Sequence, residues 1–252
     1  MHMSDSLLSP AVGAAMCAVS LAANVYAVKK IKEDGFCAEK IPLIGATGAF
    51  VFAAQMLNFT IPATGSSGHI IGSILLASII GNFSALLAIS AVLVVQCLFF
   101  ADGGLLALGC NIFNMGVIPC LLIYPLLFKP LVKDNTTLKS ITIASIASSV
   151  ASLQIGAFCV VLETQFSGIT ALPFSTFLSL MQPIHFAISI AEGIITATIL
   201  CFVYLYQPRR RLVVAFATLA IFAGCILSPF ASSYPDGLEW SIEKTMEITS
   251  IN

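Results

Sequence analysis

Charge is scarce in this chain. Only 9% of its 252 residues are charged, eleven Lys and Arg against twelve Asp and Glu, where a soluble globular domain carries about 25%. A water-exposed surface cannot be built from so little charge. A mean hydropathy of +1.01 points instead to a surface that faces lipid. The formal net charge of −1 provides no basic face for nucleic acid. Paired cysteines are lacking too. Eight cysteines are scattered singly with no C-x-x-C, which excludes a disulfide framework or a zinc motif and leaves small apolar side chains. No basic stretch precedes the first apolar run, so no cleavable signal peptide is expected. There is no G-x-x-x-x-G-K-[ST] loop to hold ATP, and no H-E-x-x-H or G-x-S-x-G to support hydrolysis.

Long apolar runs dominate what is present. A bilayer core of about 30 Å needs about 20 apolar residues of helix. Segments 8–31, 42–60, 69–81, 83–101, 111–129, 139–162, 176–206 and 212–230 meet or approach that length. The expectation is an all-α, polytopic transmembrane helical bundle of about eight spans. The short third segment is expected to be tilted, or to pair with the glycine-rich run before it. With eight spans, three basic clusters fall on one side: Lys29, Lys30, Lys32 and Lys40; Lys129, Lys133 and Lys139; Arg209, Arg210 and Arg211. The positive-inside rule makes that side cytoplasmic and both termini external.

Histidine is rarer still: His2, His69 and His185 are all there are. In this topology all three lie on the outer half. His2 has chemistry of its own. The α-amine of Met1, the amide nitrogen of His2 and the Nδ1 of His2 close a five-membered and a six-membered chelate ring on one metal ion. Three nitrogens in a plane suit Ni(II) and Cu(II). A fourth ligand is needed, and His69 lies on the correct side. It ends the stretch T-I-P-A-T-G-S-S-G-H (residues 60–69), where Pro62, Gly65 and Gly68 would let the chain turn back towards a cavity.

Four stretches carry a family resemblance: M-H-M-S-D-S-L-L-S-P at the start, F-V-F-A-A-Q-M-L-N-F-T-I-P-A-T-G-S-S-G-H from Phe50, V-Q-C-L-F-F-A-D-G-G-L-L-A-L-G-C-N-I-F-N-M-G from Val95, and Q-P-I-H-F-A-I-S-I-A-E-G from Gln182. Residues 1–207 resemble the CbiM/NikM family, the substrate-binding components of energy-coupling-factor (ECF) transporters for cobalt and nickel. Many members begin M-H-I-P-[DE]-G, whereas this chain has Met3, Ser4, Asp5 and Ser6. The resemblance implies metal ligation by Met1, His2 and His69, and Ni(II) or Co(II) as transported substrate with no organic cofactor. It implies an ECF scaffold subunit (CbiQ/NikQ-like), an ATPase subunit (CbiO/NikO-like) and an optional separate N component as partners, and a multi-pass place in the bacterial inner membrane. Residues 208–252, with S-P-F-A-S-S-Y-P-D-G-L-E-W from Ser228, are similar to the small PDGLE-type N component (CbiN/NikN).

Polar groups at membrane depth are costly and tend to be functional or paired. Gln55, Asn58, Gln96, Asp102, Asn111 and Asn114 are candidates to hydrogen-bond the N-terminal loop or a ligating imidazole. His185 and Glu192, seven residues apart on one helix face, are candidates for the metal's way in, or for packing. Ala11, Ala15 and Ala18 on the first span are candidates for scaffold contact, because small residues let helices approach closely. The competing readings are a secondary-active metal transporter or channel, and an intramembrane enzyme using His185 and Glu192. The T-G-S-S-G-H break has no second copy, as inverted repeats would require, and the enzyme has no motif.

Overall fold

The apolar runs become helices wherever they are long enough. In the computed structural model, six helices among the described residues are long and apolar enough to cross a membrane: α1 (Pro10–Glu33), α4 (Asn82–Phe100), α5 (Leu108–Lys133), α6 (Leu138–Ser167), α7 (Phe174–Leu205) and α8 (Arg211–Phe230). Two shorter helices, α2 (Ile41–Gln55) and α3 (Ser73–Ile80), and a tail helix α9 (Gly237–Ile251) complete the set. The structure describes residues 1–252 except Phe36, 134–135, 206–208 and Asn252. The expected boundary between a metal-binding region (1–207) and a PDGLE region (208–252) falls within 206–208, outside the described residues.

Helix starts follow local chemistry. Ser9 caps α1, its side chain accepting from Val12 N, with Pro10 at the first position. Thr137 and Ser140 cap α6 reciprocally, satisfying N–H groups that the first turn leaves free. Helix α5 contains Pro119 and Pro125 and is wound with wide, π-type turns over Phe113–Phe128. Each proline removes an N–H and crowds the carbonyl one turn back, and the looser winding accommodates both.

Packing between helices relies on close approach rather than bulk, as expected where lipid is as apolar as leucine. Gly109 on α5 shows why. A Cβ there would lie 2.3 Å from the Cys17 backbone nitrogen of α1, and Ser20 Oγ donates to Gly109 O at 2.6 Å across the same contact. Helices α6 and α7 pack along their length. Outward-facing Leu126, Phe166 and Phe230 remain 68%, 76% and 82% exposed, side chains that lipid would cover.

The third apolar segment is where the regular pattern breaks. After α2 the chain forms a two-stranded antiparallel ribbon, β1 (Phe59–Ile61) with β2 (Ser66–Gly68). Residues 69–72 are non-helical and buried, and the eight-residue α3 follows. Gly72 and Gly81, both with positive φ, flank α3. Non-helical backbone is tolerated at such a place because protein covers it. The ribbon lies wholly within residues 59–68, and the third apolar segment itself, expected to be tilted or to pair with the glycine-rich run, is an extended stretch followed by a half-length helix.

N-terminal residues 1–8 fold into the end of the bundle that carries the ribbon, and the α9 tail joins them there. The two ends of the chain thus share a face. A labelling experiment assigns that face to a side of the membrane. Cysteines placed at the exposed Ser6 and Ser233, in a background without native cysteines, should react with an impermeant maleimide added to intact cells, and one at Lys133 should not. Reaction at Lys133 alone would invert the orientation.

Candidate metal centre

The chain terminus is buried. Met1 is 4% exposed and Met3 fully buried. Three elements hold this segment. Met3 N donates to Asn111 Oδ1 at 2.8 Å, and Asn111 Nδ2 donates back to Met3 O at 3.1 Å. Gly104 N donates to the same carbonyl at 2.9 Å. Asp5 Oδ1 accepts from Ala107 N at 3.0 Å, so the segment is anchored despite its departure from M-H-I-P-[DE]-G. With the backbone fixed at Met3 and the Met1 side chain lodged against Gly156, the amine and His2 have one place to be.

That place faces His69. The Met1 amine donates to His69 Nε2 at 3.3 Å. His69 Nδ1 donates to Ile70 O at 3.1 Å, which leaves Nε2 as the bare lone pair. The His2 and His69 rings stack, centroids 4.9 Å apart and 28° from parallel. His2 Nε2 donates to Gln96 Oε1 at 3.2 Å, so its Nδ1 is the bare nitrogen, 3.4 Å from Asp102 Oδ1. Burial, and next the charge of the terminal amine, push both imidazoles down to about 3. Both rings are therefore neutral at physiological pH, the form that ligates metal. Burial raises the Asp102 carboxyl.

The loop carrying His69 is held from below. Glu192 accepts from Ile71 N at 2.9 Å and Gly72 N at 3.0 Å, and Gln55 Nε2 donates to Ile71 O at 2.6 Å. Buried extended backbone thus has its hydrogen bonds met by side chains. A cavity of about 170 Å³ opens beside the rings, bounded by His2, Gln55, Asn58, Asp102 and Asp236.

Several sequence expectations are refined here. Gln96 bonds the His2 ring, Asn111 bonds Met3, Asp102 lies beside His2, and Gln55 donates to Ile71 O in the His69 loop. Asn58 lines the cavity, and its main-chain oxygen accepts from Ser232 N. Asn114 turns elsewhere, donating to Glu163 Oε2 at 2.8 Å. His185 and Glu192 do not form a way in. They are 0% and 1% exposed, and one helix face does not make them a pair. His185 Nδ1 donates to Met181 O, its Nε2 is without a hydrogen-bond partner among the described residues, and its ring borders a small void shared with Met1, His69 and Asp236. Ala11, Ala15 and Ala18 are exposed on α1.

Asp236 is the residue that sequence reading missed. Its Oδ2 accepts from the Met1 amine at 2.9 Å and lies 3.8 Å from His69 Nε2. Burial works to raise this carboxyl, but the adjacent amine charge wins and holds it well below the usual range. Its Oδ1 caps α9, accepting from Leu238 N at 2.8 Å and Glu239 N at 2.9 Å, and Glu239 accepts from Asp236 N in return. The tail also pairs with the ribbon, Ser67 N donating to Pro235 O at 2.8 Å and Trp240 Nε1 to Thr64 O at 3.0 Å. The tail approaches α7 closely at Gly237, where a Cβ would lie 2.9 Å from Ile188 Cδ1 and 3.2 Å from the His185 ring. A P-D-G-L-E run in a tail on the same face as Met1 was the available signal. Among the described residues no three His, Cys, Asp or Glu side chains form a metal cluster. Two of the candidate donors here are main-chain nitrogens.

Residues 2–210 match the family described as CbiM, cobalt uptake substrate-specific transmembrane region. The chain belongs to the CbiM family. Residues 210–251 match the PDGLE domain. The chain is 31% identical over 210 residues to a putative metal transport protein of Haloquadratum walsbyi, covering 82% of this chain and 92% of that one. It is 28% identical over 208 residues to a putative fused nickel transport protein NikMN of Archaeoglobus fulgidus, covering 82% and 67%. A crystal structure described as a truncated transition metal transporter superposes with a TM-score of 0.69 at 28% identity, covering 81% of this chain and 98% of that one. CbiM-family members are metal transport proteins, and this one is a helical membrane protein with the same fold.

Proposed function

We propose that this CbiM-family chain captures Ni(II) or Co(II) for import as the substrate-binding subunit of an ECF transporter. The observation that carries the reading is the convergence of the Met1 amine, His2 and His69 on one buried point, with the amine 3.3 Å from His69 Nε2 and the rings stacked. The amine, the His2 amide, His2 Nδ1 and His69 Nε2 are the four nitrogens of a planar site. Gln96 and the Ile70 carbonyl occupy the opposite ring nitrogens and set each tautomer, as groups behind a metal ligand do. The sequence has no phosphate-binding loop, so ATP hydrolysis belongs to partner subunits, reached through a scaffold in the cytoplasmic membrane.

The direct test is the metal content of purified protein after exposure to both ions in competition. His69→Ala should leave a three-nitrogen site that loses its metal on gel filtration, while wild type retains about one ion per chain. Equal retention by the variant would refute the site. Because both imidazoles are already neutral above about pH 3, the protons that a metal must displace come from the amine and the amide. Affinity should therefore rise with pH, about tenfold per unit for each proton displaced. A flat profile between pH 6 and 8 (about the physiological range) would point to a site made of side chains alone.

A scaffold partner should bind the exposed small-residue face of α1. Replacing Ala11, Ala15 and Ala18 together with leucine should abolish co-purification with scaffold and ATPase subunits and leave metal content intact. Unchanged assembly would move the contact to another face.

A further inference from the structure

We propose that the captured cation leaves its site inward along a seam of buried hydroxyls where α6 and α7 meet α3, with His185 the first group to receive it. The inference rests on the capture role proposed above and adds a route of release to it.

Two polar stripes form the seam. On α6, Ser145, Ser148, Ser149 and Ser152 recur at the spacing of one helix face, and each is at most 2% exposed. On α7, His185, Ser189, Glu192 and Thr196 share a face in the same way and are at most 1% exposed. The two helices pack antiparallel, Ile146 against Gly193 and Leu153 across one void from His185. That register sets Ser149 level with Ser189. Both stripes look into the bundle. Gly156, one turn on from Ser152, meets the Met1 side chain, and Glu192 bonds the main chain just before α3.

The hydroxyls of α6 are unusual in what they leave undone. At the two ends of the helix, Thr142 Oγ1 donates to Leu138 O and Ser167 Oγ to Glu163 O, each at 2.8 Å, the common way for a helical hydroxyl to be satisfied. The four serines between them have no hydrogen-bond partner among the described residues. Free polar groups this deep are costly, and inside a bundle they mark the path of an ion. A second observation points the same way. His185 Nδ1 donates to Met181 O, so its Nε2 is a bare lone pair, also without a partner among the described residues. The ring borders the void beneath Met1 and His69.

The seam therefore starts at the capture site. From Gly156 to Ser145 it descends about 16 Å, roughly half of a bilayer core. It heads for the end of α6 that follows Lys129 and Lys133, the cytoplasmic end by the charge rule. An ion leaving its four nitrogens meets first an imidazole nitrogen, a donor suited to first-row metals. Hydroxyl oxygens then stand in for part of its water shell. A Cβ at Gly193 would lie 2.7 Å from Ile146 Cα, so the helices are tightly closed here and release requires α7 to move from α6. Because Glu192 ties α7 to the His69 loop, that movement disturbs the ligand and opens the route together.

The combined variant Ser145→Ala, Ser148→Ala, Ser149→Ala and Ser152→Ala removes the oxygens and keeps the packing. Purified full length, it should retain as much Ni(II) as wild type and unfold no lower, because hydroxyls without partners add nothing to stability. In cells expressing the whole transporter, its uptake of radioactive Ni(II) should fall about 10–100-fold. His185→Gln should also keep its metal and lose uptake. Import at the wild-type rate by the serine variant overturns the route, and by His185→Gln overturns the first stop. Ser149→Cys, in a background without native cysteines, gives a second reading should the fourfold variant fail to fold. In membrane vesicles carrying the whole transporter, a small cationic methanethiosulfonate should modify the introduced thiol during ATP hydrolysis and spare it without ATP. Protection in both conditions overturns the route. If wild type retains no Ni(II), the capture reading falls. If it retains Ni(II) and the serine variant imports normally, only the route falls.

Discussion

A chain whose terminal amine is blocked, by acetylation or by a tag retained before Met1, will not hold nickel or cobalt in this site. Two effects add. The amide that replaces the amine has no basic lone pair, so one of four nitrogens is lost. If four ligands together supply about 10–16 kcal/mol, each is worth about 2.5–4 kcal/mol, a factor of about 60–700 in affinity. The extension also has no room. Met1 is 4% exposed, with His69 and Asp236 already against its nitrogen. One residue inserted between Met1 and His2 should be nearly as damaging to transport. It moves the imidazole to the third position and lets the terminus supply four nitrogens alone, leaving His69 no place in the plane. A tag at the C-terminal end, beyond α9, should be tolerated. Metal content and uptake by cells expressing the whole transporter measure each case. Wild-type uptake by the blocked protein would overturn the amine ligand.

Glu192→Gln should be the most damaging change at a residue that touches no ligand atom. Both carboxyl oxygens of Glu192 accept main-chain bonds, from Ile71 and Gly72. Glutamine turns an N–H₂ towards one of those N–H groups and leaves it unpaired, at a cost of about 1–3 kcal/mol in a buried place. The loop that would relax to escape that cost is the one that places His69. Metal affinity should fall about 10–100-fold, and thermal unfolding in detergent should shift down by several degrees. Glu192→Ala, which orphans both N–H groups, should be worse on both measures. A variant that is less stable but binds metal normally would show that Glu192 serves the fold and not the site.

Much of this protein is legible in its sequence. Scarce charge and repeated apolar runs dictate a helical bundle, because lipid leaves backbone groups no partner except one another. The side of the three basic clusters fixes the expected orientation. Three histidines in the whole chain, one of them next to the terminus, narrow the candidate ligands to a few atoms, since the chelate rings of Met1 and His2 follow from covalent geometry alone. Their relation to His69 does not follow, because 68 residues separate it from Met1. Only the folding of the N-terminal segment onto Asn111 and Gly104 brings the two together.

The tertiary structure decided what spacing could not. His185 and Glu192 share a helix face, yet one borders the void under Met1 and the other binds main chain at Ile71 and Gly72, because what surrounds a helix face depends on the elements packed against it. Asn114 and Asn111 are three residues apart in α5, and they turn to different partners for the same reason. Asp236 lies 235 residues from Met1, and its motif reads as a helix start in a tail. The sequence determined that both ends of the chain lie on one face of the bundle. Only the ribbon β1–β2, which pairs with residues 234–236 and leads into His69, brings the carboxylate of one end to the amine of the other, where burial makes their charges compensate.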